Sequence, residues 1–355
     1  MPALSTQVLR PGQKIRVLVV DDSVVIRRLV CHALEEDPLI EVVGIAANGA
    51  AALSRIPQLN PDVLTLDIEM PELDGLALLK QLRPRYPNLR VVMFSTLTDR
   101  GASATLEALA LGADDYVTKA SNAGSLDVSL GNLRRELVPK IHQFFSADTR
   151  HPPAMETSPQ IARGATRADV IAIGISTGGP SALATLIPQL PADLRAPVLI
   201  VQHMPPLFTR LLAERLDAST KLEVREGVAG DPVVPGRIYV APGDFHMRVI
   251  KGRRGLELHL DQEPPLNSCR PAVDALFASV ADAYGSAAVG AVLTGMGQDG
   301  LDGAARLKAR GASVYVQDEA TSVVWGMPGS VAGAGLADAV LPLSGIAGAL
   351  VRRTQ

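Results

Sequence analysis

Residues 170–181 read VIAIGISTGGPS, an apolar run that stops abruptly at a glycine-rich turn. The β-branched run predicts a strand, and helical spacing resumes after Pro180, which suits the first turn of a helix. A strand, a tight turn and a helix in this order are the unit of a parallel α/β sheet. The turn is expected to expose the Ser176 hydroxyl at the strand end, close to the free amides that begin the helix.

The G-x-S-x-G pattern around Ser176 leaves two interpretations open. Glycines on both sides let the backbone turn sharply and present a nucleophilic serine. The same turn at a helix start could instead bind a phosphate group, or it could serve only to change the direction of the chain. The pattern alone does not choose between these interpretations.

Length and composition are those of a globular protein with about two domains. The chain has 355 residues, enough for two domains that each bury a core. The formal net charge of −3 argues against nucleic acid as the main partner. No run reaches the roughly 18 apolar residues of a membrane span, and residues 1–14 lack the apolar core of a signal peptide. We therefore expect a cytoplasmic location without membrane insertion.

The two cysteines, Cys31 and Cys269, fall in different predicted helices. Neither belongs to a C-x-x-C pair or to a short cysteine–histidine spacing. The sequence therefore indicates neither a disulfide framework nor a zinc site, and a reducing compartment is the simplest expectation.

Residues 15–138 alternate apolar runs with amphipathic segments, which predicts a doubly wound parallel sheet. The predicted strands are 16–20, 42–46, 63–67, 90–95 and 116–119. Ligands bind at the carboxyl ends of the strands in such sheets. Polar residues gather at these ends, and they are Asp21, Asp22, Asp67, Ser95 and Lys119.

Three carboxylates at neighbouring strand ends repel one another unless a hard cation joins them. Oxygen ligands suit Mg²⁺, so Asp21, Asp22 and Asp67 predict a divalent site. Asp67 could then act as a nucleophile and become an aspartyl phosphate, while Ser95 and Lys119 contact the phosphoryl oxygens. Any one aspartate taken alone is common as a cap of a helix or turn. Five polar residues that all suit one site, gathered at neighbouring strand ends, are not common.

The blocks VLVVDDS, LTLDIEMPELDG and DYVTKA resemble the motifs of response-regulator receiver domains. The resemblance covers residues 15–138 and implies a five-stranded, flavodoxin-like fold. It implies that Asp67 takes the phosphoryl group, and that Asp22, with Asp21 assisting, binds Mg²⁺ together with the backbone of Glu69.

The same resemblance assigns three further residues of the receiver region. Ser95 and Lys119 would sense the phosphate, and Tyr116 would occupy the aromatic switch position. A chemotaxis histidine kinase would then be the phosphodonor.

Residues 139–168 are rich in proline, serine and threonine and are expected to be a linker. Residues 169–353 form a second α/β region, for which we expect a Rossmann-like, mostly parallel sheet. Runs 247–250 and 256–260 flank KGRRG and predict a β-hairpin. The predicted strands of the sheet are 170–175, 198–202, 237–241, 288–294 and 313–317.

A nucleophilic serine needs a base within hydrogen-bond reach and a group that orients the base. His203 follows the strand 198–202 and is expected at the same sheet edge as Ser176. Asp299 closes the glycine-rich turn TGMGQDG after a third strand, although capping the next helix is a frequent role for such an aspartate. His246 is the rival base, and a lone histidine at a strand end is more often a structural residue.

The blocks GISTGGP, VQHMP, VAPGD and TGMGQDG resemble the catalytic domain of chemotaxis protein-glutamate methylesterases. The resemblance maps the nucleophile onto Ser176, the base onto His203, the orienting carboxylate onto Asp299 and an oxyanion-hole amide onto Met296. The amide of Thr177 in the glycine turn is expected to complete the oxyanion hole.

The implied reaction is hydrolysis of glutamyl γ-methyl esters on the cytoplasmic helices of chemoreceptors, which releases methanol. Deamidation of receptor glutamines is a second implied activity. No metal or organic cofactor is expected for ester hydrolysis. Phosphorylation of Asp67 adds roughly 1.5 to 2 negative charges, and we expect it to relieve inhibition of the esterase by the receiver.

Two other kinds of output domain are alternatives to the esterase. A nucleotide-binding domain could use GISTGG to cradle phosphates, but Ser176 stands at the third position of G-x-G-x-x-G, where that motif has its second glycine, and no acidic residue ends the next strand. A transcription factor should carry a basic helix-turn-helix after the linker, and none is apparent.

Overall fold

The chain folds as two α/β units, one within residues 6–150 and the other within residues 151–355. This computed structural model describes residues 7–10, 12–119, 126–147, 167–253 and 255–355. None of the helices within those ranges combines the length and the apolar character that crossing a membrane requires.

The first unit is built around a parallel sheet. Its elements are β1 (Gln7–Leu9), β2 (Ile15–Val20), α1 (Val24–Glu35), β3 (Ile40–Ala46), α2 (Gly49–Leu59), β4 (Val63–Asp67), α3 (Gly75–Leu82), β5 (Arg90–Ser95), α4 (Asp99–Ala110), β6 (Asp115–Thr118), α5 (Leu126–His142) and β7 (Phe145–Ala147). Five strands pair in the order β3-β2-β4-β5-β6, all parallel. The predicted five-stranded, doubly wound fold is confirmed, and its switch point lies between β2 and β4.

Local sequence explains where the helices of this sheet begin. Ser23, Asn48, Asp74 and Thr98 each precede a helix in extended conformation, and the side chain of each accepts a hydrogen bond from an amide of the first turn. These caps fix the helix starts just beyond the strand ends. The site at that edge is therefore held by short loops.

The end of the first unit differs from the sequence expectation, which placed the start of the linker at residue 139. Pro139 lies inside α5, and Ile141 and Phe144 beyond it are fully buried. Burial of each such side chain contributes about 1.5 to 3 kcal/mol, enough to offset a helical proline that costs about 3 kcal/mol. Residues 148–166 of the expected linker lie outside the described residues, and the domain limits stay a prediction.

The second unit is built around a seven-stranded sheet. Its elements are β8 (Val170–Ile175), α6 (Gly179–Leu186), β9 (Val198–Gln202), α7 (Pro206–Asp217), β10 (Glu223–Glu226), β11 (Arg237–Val240), β12 (His246–Gly252), β13 (Gly255–Asp261), α8 (Val273–Tyr284), β14 (Ala288–Val292), α9 (Leu301–Ala309), β15 (Ser313–Gln317), α10 (Gly326–Gly333), β16 (Ala339–Leu341) and α11 (Leu343–Thr354). The order is β10-β11-β9-β8-β14-β15-β16, with every pair parallel. The predicted hairpin is confirmed as β12 and β13.

Several elements of the second unit were not predicted from sequence. The edge strands β10 and β16 are short, and β10 reads EVRE, which carries little apolar signal. The helix α10 reads GMPGSVAG, in which glycine and proline hide the helical pattern. The helical position predicted for Cys269 is wrong, because this residue lies in the loop between β13 and α8.

Candidate active site

Three loops of the second unit meet at the carboxyl edge of its sheet. Ser176 follows β8, His203 follows β9, and the turn with Asp299 follows β14, which pairs with the other side of β8. The Ser176 amide donates to Thr294 O at 3.0 Å, and the His203 amide donates to Ile175 O at 3.3 Å. The topology therefore brings the three sequence-predicted residues to one edge, at the switch point where α/β sheets bind ligands.

Glycines allow the backbone around Ser176 to pack closely. Gly178 caps α6 with φ of 78°, in the left-handed region that favours glycine. A Cβ atom at Gly295 would lie 2.8 Å from Ser176 Cβ, so a side chain there would displace the serine. The turn after β14 is thus packed directly on the candidate nucleophile.

His203 and Asp299 form a hydrogen-bonded ion pair. His203 Nε2 lies 2.8 Å from Asp299 Oδ2, and Asp299 is only 2% exposed. Burial disfavours a charged imidazole, but hydrogen bonds with Asp299 and Cys269 outweigh it and raise the pKa of His203 to about 9. Because a carboxylate only accepts hydrogen bonds, Nε2 carries the proton and Nδ1 is left as the basic nitrogen.

Asp299 is held in place by the start of α8. Its Oδ2 accepts from the Val273 amide at 2.6 Å, and its Oδ1 accepts from the Asp274 amide at 3.1 Å. Burial acts to raise the pKa of Asp299, but the hydrogen bond with His203 and these amides hold the pKa below its usual value. The carboxylate is therefore ionised and oriented before any substrate arrives.

Asp274 and Asn267 are part of this network, and sequence reasoning missed both. Asp274 Oδ1 accepts from the amides of Gly300 and Gly303 at 3.0 and 2.7 Å, which satisfies the start of α9. Asn267 Nδ2 donates to Asp274 Oδ2 at 2.8 Å and to Asp299 Oδ1 at 3.3 Å. Asp299, expected as a possible cap of the helix after it, instead caps α8, while Asp274 within α8 caps α9.

The rival base, His246, has a structural environment. It is fully buried, its Nδ1 accepts from the Ala272 amide at 3.2 Å, and its Nε2 lies 3.2 Å from Pro264 O. Both ring nitrogens are thus used to hold the loop 262–272. This geometry favours His203 over His246 as the base.

The two candidate oxyanion residues come from different turns, Thr177 from the turn after β8 and Met296 from the turn after β14, and they differ in exposure. Thr177 is 8% exposed, and its carbonyl accepts from Thr294 Oγ1 at 2.9 Å. Met296 is 40% exposed and follows Gly295, which packs on Ser176. The oxyanion role of the Thr177 and Met296 amides stays a prediction.

The carboxyl edge of the first unit carries a separate polar site. Ligand atoms of Asp21, Asp22 and Asp67 lie within 4.8 Å of one another. Lys119 Nζ lies 2.8 Å from Asp67 Oδ2 and 3.0 Å from Asp21 Oδ2. A cavity of about 300 Å³ opens here, lined by Asp22, Asp67, Ile68, Glu69, Phe94, Thr96, Gly101 and Lys119.

These residues fit a hard divalent cation. Asp21 Oδ2 is buried, and the cationic group that the structure places beside it is Lys119 Nζ at 3.0 Å, which Asp67 shares. Burial raises the pKa of Asp67 to about 6, and the charge of Asp21 adds to the rise, although Lys119 opposes it. A cation beside three carboxylates would relieve both the burial cost and the repulsion.

Two of the predicted phosphate-sensing residues, Ser95 and Tyr116, are not among the residues that line the cavity. Ser95 Oγ lies 2.6 Å from Thr105 Oγ1 and 3.2 Å from Gly101 O, both on α4, and the neighbouring Thr96 lines the cavity instead. The ring of Tyr116 is buried under the Lys140 ammonium, 4.9 Å from its centroid. Their roles as phosphate sensor and aromatic switch stay predictions.

Known protein families match both α/β units of the chain. The family described as CheB methylesterase matches residues 171–350, and the family described as response regulator receiver domain matches residues 17–130. A protein-glutamate methylesterase/protein-glutamine glutaminase of Trichodesmium erythraeum is 49% identical over 350 residues, covering 96% of this chain and 99% of the relative. One of Nocardioides sp. is 50% identical, covering 97% of this chain and 96% of the relative.

A solved structure agrees with the fold of the second unit. The crystal structure of the Thermotoga maritima CheB methylesterase catalytic domain is similar to it with a TM-score of 0.51 and 44% identity. The similarity covers 52% of this chain and 98% of the Thermotoga maritima chain.

Proposed function

The chain belongs to the CheB methylesterase family, and from that membership we propose that it is a phosphorylation-regulated protein-glutamate methylesterase. Its substrates are glutamyl γ-methyl esters on the cytoplasmic helices of chemoreceptors, and it works in the cytoplasm. The products are a glutamate side chain and methanol. It also deamidates receptor glutamines, an activity that the names of its relatives include.

The observation that supports this proposal most is the pairing of His203 with a buried, ionised Asp299 at the sheet edge that carries Ser176. His203 Nδ1 removes the proton from Ser176 Oγ as that oxygen attacks the ester carbonyl. Asp299 keeps the ring oriented through Nε2 and stabilises the imidazolium that forms. Amides of Thr177 and Met296 bind the oxyanion of the tetrahedral intermediate.

The second half of the reaction reverses the proton transfer. Imidazolium Nδ1 gives its proton to the departing methoxide, which leaves as methanol, or to the departing amine of a glutamine, which leaves as ammonia. A water molecule, deprotonated by the same nitrogen, then hydrolyses the acyl-serine. No step of this scheme needs a residue of the first unit.

The first unit supplies regulation. Asp67 takes a phosphoryl group from a chemotaxis histidine kinase, and Asp21, Asp22, Asp67 and the backbone of Glu69 would hold the Mg²⁺ that neutralises the charge of the transfer. Lys119 pairs with Asp67, which supports a role in binding the phosphoryl oxygens. The unphosphorylated receiver holds the esterase at low activity, and phosphorylation relieves that inhibition.

Methanol release from methylated chemoreceptor fragments tests the proposed activity. Ser176→Ala should lower the rate by about 10⁴-fold or more, because it removes the nucleophile. Ser181→Ala, five positions along on α6, is the matched control and should keep the unaltered rate. More than a tenth of the unaltered activity in Ser176→Ala would rule out the assignment of the nucleophile.

A further inference from the structure

The thiol of Cys269 lies beside the basic nitrogen of His203. The two residues are 66 positions apart in the chain, yet Cys269 Sγ is 3.5 Å from His203 Nδ1. The other ring nitrogen, Nε2, is engaged by Asp299 at 2.8 Å. Ester hydrolysis as described above has no step that uses this thiol.

The spacing of sulfur and nitrogen matches that of two ligands on one tetrahedral metal ion. Zinc bonds of about 2.3 Å to sulfur and about 2.0 Å to nitrogen, at a tetrahedral angle, put the two ligand atoms about 3.5 Å apart. The observed separation is therefore reached without moving either side chain. Thiolate and imidazole are also the ligand types that favour zinc over magnesium or calcium.

The environment of the histidine also suits a metal ligand. A zinc-binding histidine almost always donates its second N–H to a carboxylate, carbonyl or water, and His203 already does so to Asp299. Asp299 is in turn fixed by amides of Val273 and Asp274. Ligand atoms of His203, Cys269 and Asp299 lie within 4.8 Å of one another.

Both side chains keep some exposure to solvent. Cys269 is partly exposed, and the His203 side chain is 13% exposed. The loop that carries Cys269 is fixed to the rest of the unit through His246, which contacts Pro264 and Ala272. The thiol is thus presented at the site by an anchored loop.

The geometry points to a binding site for Zn²⁺ or a similar thiophilic divalent cation, held by Cys269 Sγ and His203 Nδ1 with water in the remaining positions. On binding, the Cys269 thiol releases its proton to solvent. The metal occupies the lone pair of Nδ1, so that His203 cannot accept a proton from Ser176. The cation is therefore a reversible inhibitor of ester hydrolysis, a consequence that rests on the proposed function, whereas binding itself does not.

Cobalt binding tests the site without reference to catalysis. The full chain is titrated with Co²⁺ in excess Mg²⁺, which occupies the oxygen-only site of Asp21, Asp22 and Asp67. We expect a sulfur-to-cobalt charge-transfer band in the near ultraviolet at one equivalent, abolished by added Zn²⁺. Cys31→Ser should keep the band and Cys269→Ser should lose it. Absence of the band in the unaltered protein means that the contact is only a thiol–imidazole hydrogen bond, and overturns the proposal.

Inhibition is then measured as the Zn²⁺ concentration that halves methanol release, relative to each variant's own rate without zinc. Cys269→Ser should raise that concentration at least about tenfold, since even outer partners of a metal site change affinity by 10- to 100-fold. Cys31→Ser should leave it unchanged, and a chelator should restore the rate. Equal zinc sensitivity of Cys269→Ser and the unaltered protein overturns the inhibitory site. If no methanol is released by any variant, the proposed function fails while the cobalt titration still decides the metal site.

Discussion

The direction of the His203 ring decides which nitrogen can act as the base. Asp299 engages Nε2, and Asp299 is itself saturated by amides of α8. The imidazole therefore cannot turn its Nε2 toward substrate without breaking a buried, charge-assisted hydrogen bond. Nδ1 is the nitrogen that remains for proton transfer.

Replacement of the two histidines should separate the base from its rival. We expect His203→Ala to lower kcat for methanol release by about 10⁴-fold or more, because the serine loses its base. His246→Ala should act through stability, since it removes two hydrogen bonds to the loop 262–272, and should lower kcat far less. Rates are compared at a temperature where circular dichroism shows both variants folded. A larger loss of kcat in His246→Ala would mean that the base is misassigned.

The pH dependence of the reaction should reflect the raised pKa of His203. Only the neutral ring accepts a proton, and the folded-state pKa of about 9 lies above the ordinary value of about 6.5. kcat/KM should therefore rise with pH and level off only above about pH 9. The stability that the charged pair contributes is present below about pH 6.5 and is lost as pH rises through about 9. A kcat/KM profile that is already level at pH 7 would contradict this environment.

At the residue scale, sequence reasoning found the side chains that follow strands and missed those that reach the site from loops. Ser176 and His203 directly follow apolar strands, and Asp299 closes the turn after a third strand, so the parallel sheet itself predicts their proximity. Asn267 and Cys269 have no such signal, because the loop that carries them is placed by the buried His246. Long-range contacts of this kind produce no periodic pattern in the amino-acid sequence.

At the element scale, α8 and α9 cap one another across the site. Asp299 precedes α9 and caps α8, while Asp274 belongs to α8 and caps α9. The start of α8 thus depends on Asp299 from the turn before α9, and the start of α9 depends on Asp274 of α8. The turn that carries Asp299 is consequently tied to two helices at once.

Loss of the cap on α9 should loosen the orienting carboxylate. Asp274→Ala leaves the buried amides of Gly300 and Gly303 without an acceptor, which we expect to lower the free energy of unfolding by about 2 kcal/mol. kcat should fall more than KM rises, since Asp299 positions the base and does not bind substrate. Asp302→Ala removes an exposed carboxylate from the first turn of α9 and is the matched control, which should leave kcat unchanged and cost at most about 1 kcal/mol. Urea denaturation and steady-state rates measure both effects, and equal losses in the two variants would refute the capping argument.

Local sequence patterns predict the buried central strands but not the end of α5. The central strands β4, β5, β8 and β9 are fully buried apolar runs and were located to the residue. The helix α5 runs through Pro139 into the expected linker 139–168, because burial of the residues beyond the proline outweighs its cost.

At the scale of the whole molecule, the chain repeats one arrangement twice. Each unit is a parallel sheet with its polar site at the switch point, between β2 and β4 in the first and between β8 and β14 in the second. The first site carries carboxylates and a lysine, and the second carries a serine, a histidine and a carboxylate. The chemistry of regulation and the chemistry of hydrolysis are thus kept in separate folding units.

We propose that phosphorylation of Asp67 controls hydrolysis at Ser176, and a phosphodonor assay decides whether it does. Methanol release from methylated chemoreceptor fragments is followed with and without a small phosphodonor in Mg²⁺, for the unaltered chain and for Asp67→Asn. We predict that the phosphodonor raises the rate of the unaltered chain, and that Asp67→Asn keeps the basal rate but gains nothing from the phosphodonor. An equal stimulation of both proteins, or a phosphodonor that slows the unaltered chain, would contradict the account.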